Sequence, residues 1–282
     1  MANIIDAIIN LVKSPQYKLT EYSKNHNRAN NMGDALEEYV KDIFADTVSE
    51  KKEDVRKLKI SQTFSYLGNS NNPPDSILKN GDAIEVKKIE SNDAQLALNS
   101  SYPKHKLYSD SPMINKSCKE CEDWDIKDIM YIVGVVNEKN ISSLAVVYGT
   151  EYCADKSVYE RIRETLKEGI KSIPNVEFAE TSELGRVNKV DPLGITYFRV
   201  RGMWGIKNPF NVFDDIYQKE PKNKFNFMSI INKEKYNSFD NKDELENLSK
   251  QNENLKIEDK QVKDPNNPAK LVDVKLVTFS IK

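Results

Sequence analysis

The sequence predicts a mixed α/β fold in which a mixed β-sheet is flanked by helices. Three features lead to that expectation. Between Asp34 and Phe44, the residues Leu36, Tyr39, Val40, Ile43 and Phe44 recur at helical spacing and form one apolar stripe. Asn80-Gly81 is a strong hairpin-turn signal that leads directly into Asp82–Ile89, where Ile84 and Val86 alternate with Glu85 and Lys87. Further strand-like runs at Ile129–Val136, Leu144–Tyr148 and Ile195–Val200 are interrupted by a helix-like stretch, Val158–Ile173.

Taken in order, residues 1–48 read as helical. The apolar stretch Ile4–Val12 lacks a basic lead and a small-residue cleavage site, so it reads as an amphipathic core helix and not a signal peptide. Asn30 or Asn31 is placed to cap the next helix. A charged stretch, Glu50–Lys59, precedes a strand-like run at Ile60–Leu67. Gly68–Asp75 then reads as a loop, because Gly, Asn, Ser and Pro crowd into it. The runs at 129–136 and 144–148 read as a hairpin around Asn137–Asn140. Residues 233–268 are dominated by Lys, Asn, Glu and Asp and read as a solvated helix and loops, before a closing strand at Leu271–Ile281. With no internal repeat and no sharp shift in composition, one domain over 1–282 is expected. It comprises a helical part at 1–48, a core at 55–210 and a C-terminal extension at 211–282.

Composition narrows the function. No apolar run approaches the length of a bilayer span, so no membrane association and a cytoplasmic location are expected. Three cysteines in 282 residues do not make a disulfide framework. The net charge of −2 means that any nucleic-acid binding must come from a local basic surface. Only two histidines occur, His26 and His105, which disfavours nucleases built on a histidine cluster or a His-x-Lys motif. No nucleophile elbow surrounds any Ser or Cys, and no glycine-rich phosphate or dinucleotide loop is present.

What remains is a carboxylate hairpin. Pro74-Asp75 precedes the turn, and Glu85-Val86-Lys87 lies on the returning strand. The acid-x-Lys pattern recurs elsewhere, for instance at Asp125-Ile126-Lys127 and Asp273-Val274-Lys275, but the chain has only one Pro-Asp pair. A hard cation such as Mg²⁺ takes oxygen ligands, commonly one or two carboxylates completed by water and substrate phosphate. Asp75 and Glu85 supply such a pair. Lys87, two residues after Glu85, leaves the same strand face and can stabilise developing negative charge. These are the parts that metal-assisted phosphodiester hydrolysis requires. The bland alternative is an ordinary Glu/Lys pair on an exposed strand. Asp82 competes with Asp75 as the first ligand, and Glu37 or Glu38 is either an accessory acid or merely solvated.

The runs Asn71–Asp75 and Gly81–Ile89, with Leu98–Lys104 and Cys118–Trp124, resemble the NgoPII family of type II restriction endonucleases, within the PD-(D/E)xK nuclease superfamily. The resemblance extends from about Gly33 to about Phe210. It implies a restriction-endonuclease-like core with Asp75, Glu85 and Lys87 as catalytic residues, and Asp75 and Glu85 as Mg²⁺ ligands. It also implies a homodimer that cuts double-stranded DNA within a short palindrome, GGCC, leaving 5′-phosphate ends. A cognate DNA methyltransferase is the functional partner such an enzyme requires.

For DNA contacts, Pro192–Phe213 contains no acidic residue and carries Arg199, Arg201 and Lys207, with Trp204 and Asn208 among them. An arginine fork matches the major-groove edge of guanine. Lys104 is a further candidate, for a backbone phosphate. Plain surface arginines around a buried tryptophan are the competing account. Cys118-x-x-Cys121 has zinc-knuckle spacing but no second pair, so Cys153 and His105 complete a site only if the fold gathers them. Reduced thiols are the simpler reading. The functional rivals are a structure-specific repair or recombination nuclease on the same core, a non-catalytic DNA-binding protein, and an unrelated interaction protein.

Overall fold

The computed structural model describes residues 2–19, 32–69, 72–137 and 140–282. Its first helices fix which face of the sheet is sealed. Helix α1 (Ile4–Lys13) is capped by Asn3, whose side chain accepts from the Ile5 and Asp6 N–H groups while Asp6 accepts from the Asn3 N–H in return. In α2 (Met32–Ala45) every residue of the predicted stripe, from Leu36 to Phe44, is buried. The expected Asn30/Asn31 cap and His26 lie outside the described residues.

Helix α3 (Glu53–Thr63) occupies the start of the expected Ile60–Leu67 strand. Glu53 and Asp54 in its first turn complement the helix dipole. Of its side chains only Arg56 and Ile60 are buried, so no apolar stripe announces it. Arg56 joins α3 to α2. Its Nε donates to Asp42 Oδ1 at 2.7 Å and its fork also engages Glu38, while Asp42 is fully buried.

The chain continues through β1 (Phe64–Asn69), β2 (Asn72–Leu78), β3 (Ala83–Ile89), β4 (Leu96–Asn99), β5 (Lys106–Tyr108), α4 (Lys116–Lys119), β6 (Ile126–Asn137) and β7 (Asn140–Tyr148). Then follow α5 (Gly149–Tyr152), α6 (Lys156–Lys171), β8 (Gly185–Asn188), β9 (Tyr197–Val200), β10 (Trp204–Ile206) and α7 (Pro209–Val212). The last elements are β11 (Phe225–Asn232), α8 (Lys233–Ser238), α9 (Lys242–Gln251), β12 (Leu255–Asp264) and β13 (Asn267–Ile281). The main sheet runs β1-β2-β3-β6-β7-β11-β13-β12, with β5 pairing beside β6. It is mixed: β3 with β6 and β7 with β11 are parallel, and the other pairs are antiparallel. Strands β4 and β10 form a separate ribbon, as do β8 and β9.

Two apolar layers sandwich the sheet. Ile84 and Val86 point to the layer holding α1 and α2. Ala83 and Ile89 point to the other, with Leu98, Leu107 and Tyr152. Alternation along β3 therefore places Glu85 and Lys87 on this second face.

Two expectations need correction. Asp75 lies within β2 and not in a loop, because Asn72–Leu78 pairs with β1 despite its prolines. Residues 255–264 form strand β12 in place of loop, paired with β13 over ten positions. This is a sheet edge, and its Lys, Glu and Asp side chains point to water, a composition that blunts edges and hides the strand from a hydrophobicity reading. No helix among the described residues is long and apolar enough to cross a membrane.

Candidate active site

The β2–β3 register pairs Ser76 with Ile84 and Ile77 with Ala83, which brings Asp75 opposite Glu85. On the parallel side, Glu85 pairs with Tyr131 of β6. Asp75, Glu85 and Tyr131 thus form one row across three strands, and Lys87 projects one step further along β3. The Val86 N–H donates to Asp75 Oδ2 at 2.6 Å. Lys87 Nζ donates to Glu85 Oε1 at 2.6 Å. The second oxygen, Glu85 Oε2, is buried and has no hydrogen-bond partner.

An unsatisfied buried carboxylate oxygen is costly, and native proteins rarely leave one without a reason. Burial, reinforced by the Glu85 charge, pushes the Asp75 carboxyl up to about 7. Burial works against the Lys87 charge, but Glu85 and Asp75 outweigh it and hold the ammonium above its ordinary range. Two neighbouring carboxylates, one of them with a buried and unpartnered oxygen, form a donor set that suits a hard divalent cation. Among the described residues, no group of three or more His, Cys, Asp or Glu is gathered to hold a metal. Water and phosphate oxygens would complete the coordination of a cation held by Asp75 and Glu85.

The neighbours separate cleanly. Asp82 accepts from Lys235 Nζ at 2.9 Å and from the Tyr148 hydroxyl at 2.8 Å, and Lys235 also grips Asp128 at 2.6 Å. Asp82 is thus engaged elsewhere, while Asp75 faces Glu85. Glu38 is committed to Lys41 and Arg56. For Glu37, burial raises the carboxyl and Lys41 is the charge that most offsets it, with Lys87 contributing less.

Asp75, Glu85 and Lys87 line a cleft of about 790 Å³. The opposite wall is formed by α6 and by Ser182–Leu184, with Arg201 and Trp204 at the rim. Arg199 and Arg201 both turn onto Glu183, at 2.7 Å and 2.5 Å from their Nε atoms, and hold that carboxyl down to about 2. Trp204 packs edge-on against Tyr102 and Tyr159. Lys207 is exposed but does not line the cleft.

Asn208 is a correction among the DNA contacts. It is fully buried, caps α7, and donates to the carbonyls of Asn92 and Ala94, so its amide is committed inside the protein. Lys104 is a second correction, because it is buried and turns its ammonium onto Ser101 instead of displaying it to a backbone phosphate. Cys153 and His105 do not complete a metal site with Cys118 and Cys121: all three thiols are free, and His105 Nδ1 faces the Cys153 carbonyl at 3.2 Å.

The α6 wall carried no motif, and its only signal was Val158, Ile162, Leu166 and Ile170 at four-residue spacing on a helix that buries none of them. Glu183 gave no signal either. It lies outside the acid-free segment that singled out the arginines, and only the fold brings it to them.

Residues 2–263 match the NgoPII restriction endonuclease family. The chain belongs to that family. It is 56% identical over 280 residues to the type II restriction enzyme NgoPII of Neisseria gonorrhoeae, covering 99% of this chain and 100% of the relative. No solved structure matches it. The match extends past Phe210 through β11 and into β12, so these strands belong to the family pattern as well. As an NgoPII-family protein the chain is a restriction endonuclease, with a large mixed sheet flanked by helices.

Proposed function

We propose that the chain cuts double-stranded DNA site-specifically at a short palindrome, GGCC by its family, and leaves 5′-phosphate ends. The observation that carries this reading is the Asp75–Glu85–Lys87 row on an open cleft, with Glu85 Oε2 buried and unpartnered. Asp75 and Glu85 would hold Mg²⁺, which would supply polarisation of the phosphate and activation of the attacking water. The Val86 N–H fixes the Asp75 carboxylate. Lys87 places its charge beside the phosphate and offsets the negative charge that builds during attack. Two subunits, each reading one half-site, match the symmetry of a palindrome. A methyltransferase that modifies the same site protects the host.

The test is incubation of plasmid DNA with the purified protein, with and without Mg²⁺, beside Lys87→Ala. Discrete fragments that require Mg²⁺ and disappear in the variant support the reading, and their ends give the site. Intact DNA across metals and substrates would refute it.

Arg201 contributes to DNA affinity only when released from Glu183. Glu183→Gln is therefore expected to tighten duplex binding and to steepen the log–log salt dependence by about 1 to 2, as one or two more cations reach phosphates. Binding measured in Ca²⁺ across a salt series checks this. An unchanged slope would remove Arg199 and Arg201 from the DNA interface.

A further inference from the structure

Lys104 stands out among the buried cations of the chain. Its side chain is 8% exposed, and its recorded partners are the hydroxyl of Ser101 and, at 5.9 Å, the ring of Tyr102. Neither is a carboxylate. A buried lysine normally has an acid beside it, because an isolated buried charge is expensive. Burial lowers the pKa of its ammonium, and the Glu85 charge is what most offsets that loss.

The backbone around it is fixed from several sides. The Lys104 N–H donates to the Tyr131 hydroxyl at 2.7 Å, and Tyr131 is the strand partner of Glu85. Gly149 packs so closely that a Cβ there would collide with the carbonyls of Lys104 and His105. The row on the sheet therefore determines where Lys104 stands.

Ser101 lines the cleft together with Asp75, Glu85 and Lys87. Its oxygen accepts from Lys104 Nζ. A hydroxyl that accepts from an ammonium keeps its own proton for another acceptor. No acceptor for that proton is recorded among the described residues.

We propose that Ser101 and Lys104 form a phosphate-gripping pair: Ser101 donates to a non-bridging oxygen of the scissile phosphodiester, and Lys104 orients and polarises that hydroxyl. The pair rests on the reading of the cleft as the DNA-cleaving site. Ser101 touches substrate, whereas Lys104 acts through it as a positioning residue. Its charge supports the transition state from within the protein instead of steering DNA from the surface.

The experiment compares wild type, Ser101→Ala, Ser101→Thr, Lys104→Met and the Ser101→Ala/Lys104→Met double variant. Single-turnover cleavage is measured in Mg²⁺, duplex affinity in Ca²⁺, and folding by thermal unfolding. Ser101→Ala and Lys104→Met are each expected to slow cleavage by about 100-fold, as for loss of one preorganised donor. Affinity should change by less than about threefold, because the contact strengthens as charge builds on the phosphate. Ser101→Thr, which keeps the hydroxyl, should retain the rate. The double variant should be no slower than either single one, because both changes remove the same contact. A Ser101→Ala rate within about twofold of wild type, a Ser101→Thr as slow as Ser101→Ala, or losses that multiply in the double variant would each overturn the pair. Ser101 is half-buried, so its variants keep the test decisive if Lys104→Met does not fold. A wild type that cleaves no duplex would instead overturn the active-site reading itself.

Discussion

Glu85→Gln is expected to cut DNA at least about 1000-fold more slowly than wild type while binding duplex in Ca²⁺ with little change, a loss of about 4 kcal/mol of transition-state stabilisation. The two oxygens of Glu85 have distinct roles. One holds the Lys87 ammonium, and the other is buried with no partner. The amide is nearly isosteric but removes the charge from both. It weakens the cation site, and where its NH₂ faces Lys87 it presents a donor to a donor. Binding is expected to be spared because losing the carboxylate also removes a repulsion with the phosphates, which offsets the weaker hold on the cation. Single-turnover cleavage at saturating enzyme, beside Ca²⁺ binding isotherms, separates the two effects. A variant that cuts within tenfold of wild type would remove Glu85 from the catalytic centre, and a parallel loss of binding would assign it to folding.

Arg56→Met is expected to destabilise the protein by about 3–5 kcal/mol, because it takes the guanidinium away from a buried carboxylate. Asp42 is fully buried and Arg56 is 5% exposed. Burial raises the Asp42 carboxyl to about 6 even with the guanidinium and the Thr47 hydroxyl bound to it. The loss approaches the whole stability of a typical domain, so the midpoint of urea unfolding should fall sharply. Lys59→Met serves as the comparison. It breaks an ion pair of 3.3 Å between exposed groups and should cost less than about 1 kcal/mol. Equal effects from the two substitutions would show that the α2–α3 junction does not depend on the buried pair.

The geometry of the candidate hairpin was legible because it follows from local rules. The Asn80-Gly81 turn and the period-2 alternation of β3 suffice to set Glu85 and Lys87 on one face. The choice between Asp75 and Asp82 was not legible, since both precede Glu85 and only strand register separates them: one faces Glu85 while the other is drawn to Lys235, more than 150 residues away in the chain. The same limit applied to Lys104, where a Lys-His-Lys run resembles a basic surface loop until the Tyr131 hydroxyl pulls its backbone onto the sheet. Helix α3 and strand β12 were missed for a different reason. Both are largely solvated, so neither shows the apolar periodicity by which elements are recognised.

The two sides of the cleft differ in how firmly they are built. The floor is β2, β3 and β6, central strands with residues buried on both faces, which open only when the whole protein does. The facing wall is α6, which buries no residue along its length and is tethered through the Tyr159–Tyr102 stack and the Tyr102–Glu160 hydrogen bond. Little apolar contact is lost when such a helix lifts, so its amides should exchange with solvent long before those of the floor. On the proposed reading, a duplex entering the cleft would meet a hard bed and a compliant side, and the grip could adjust without disturbing Asp75 and Glu85.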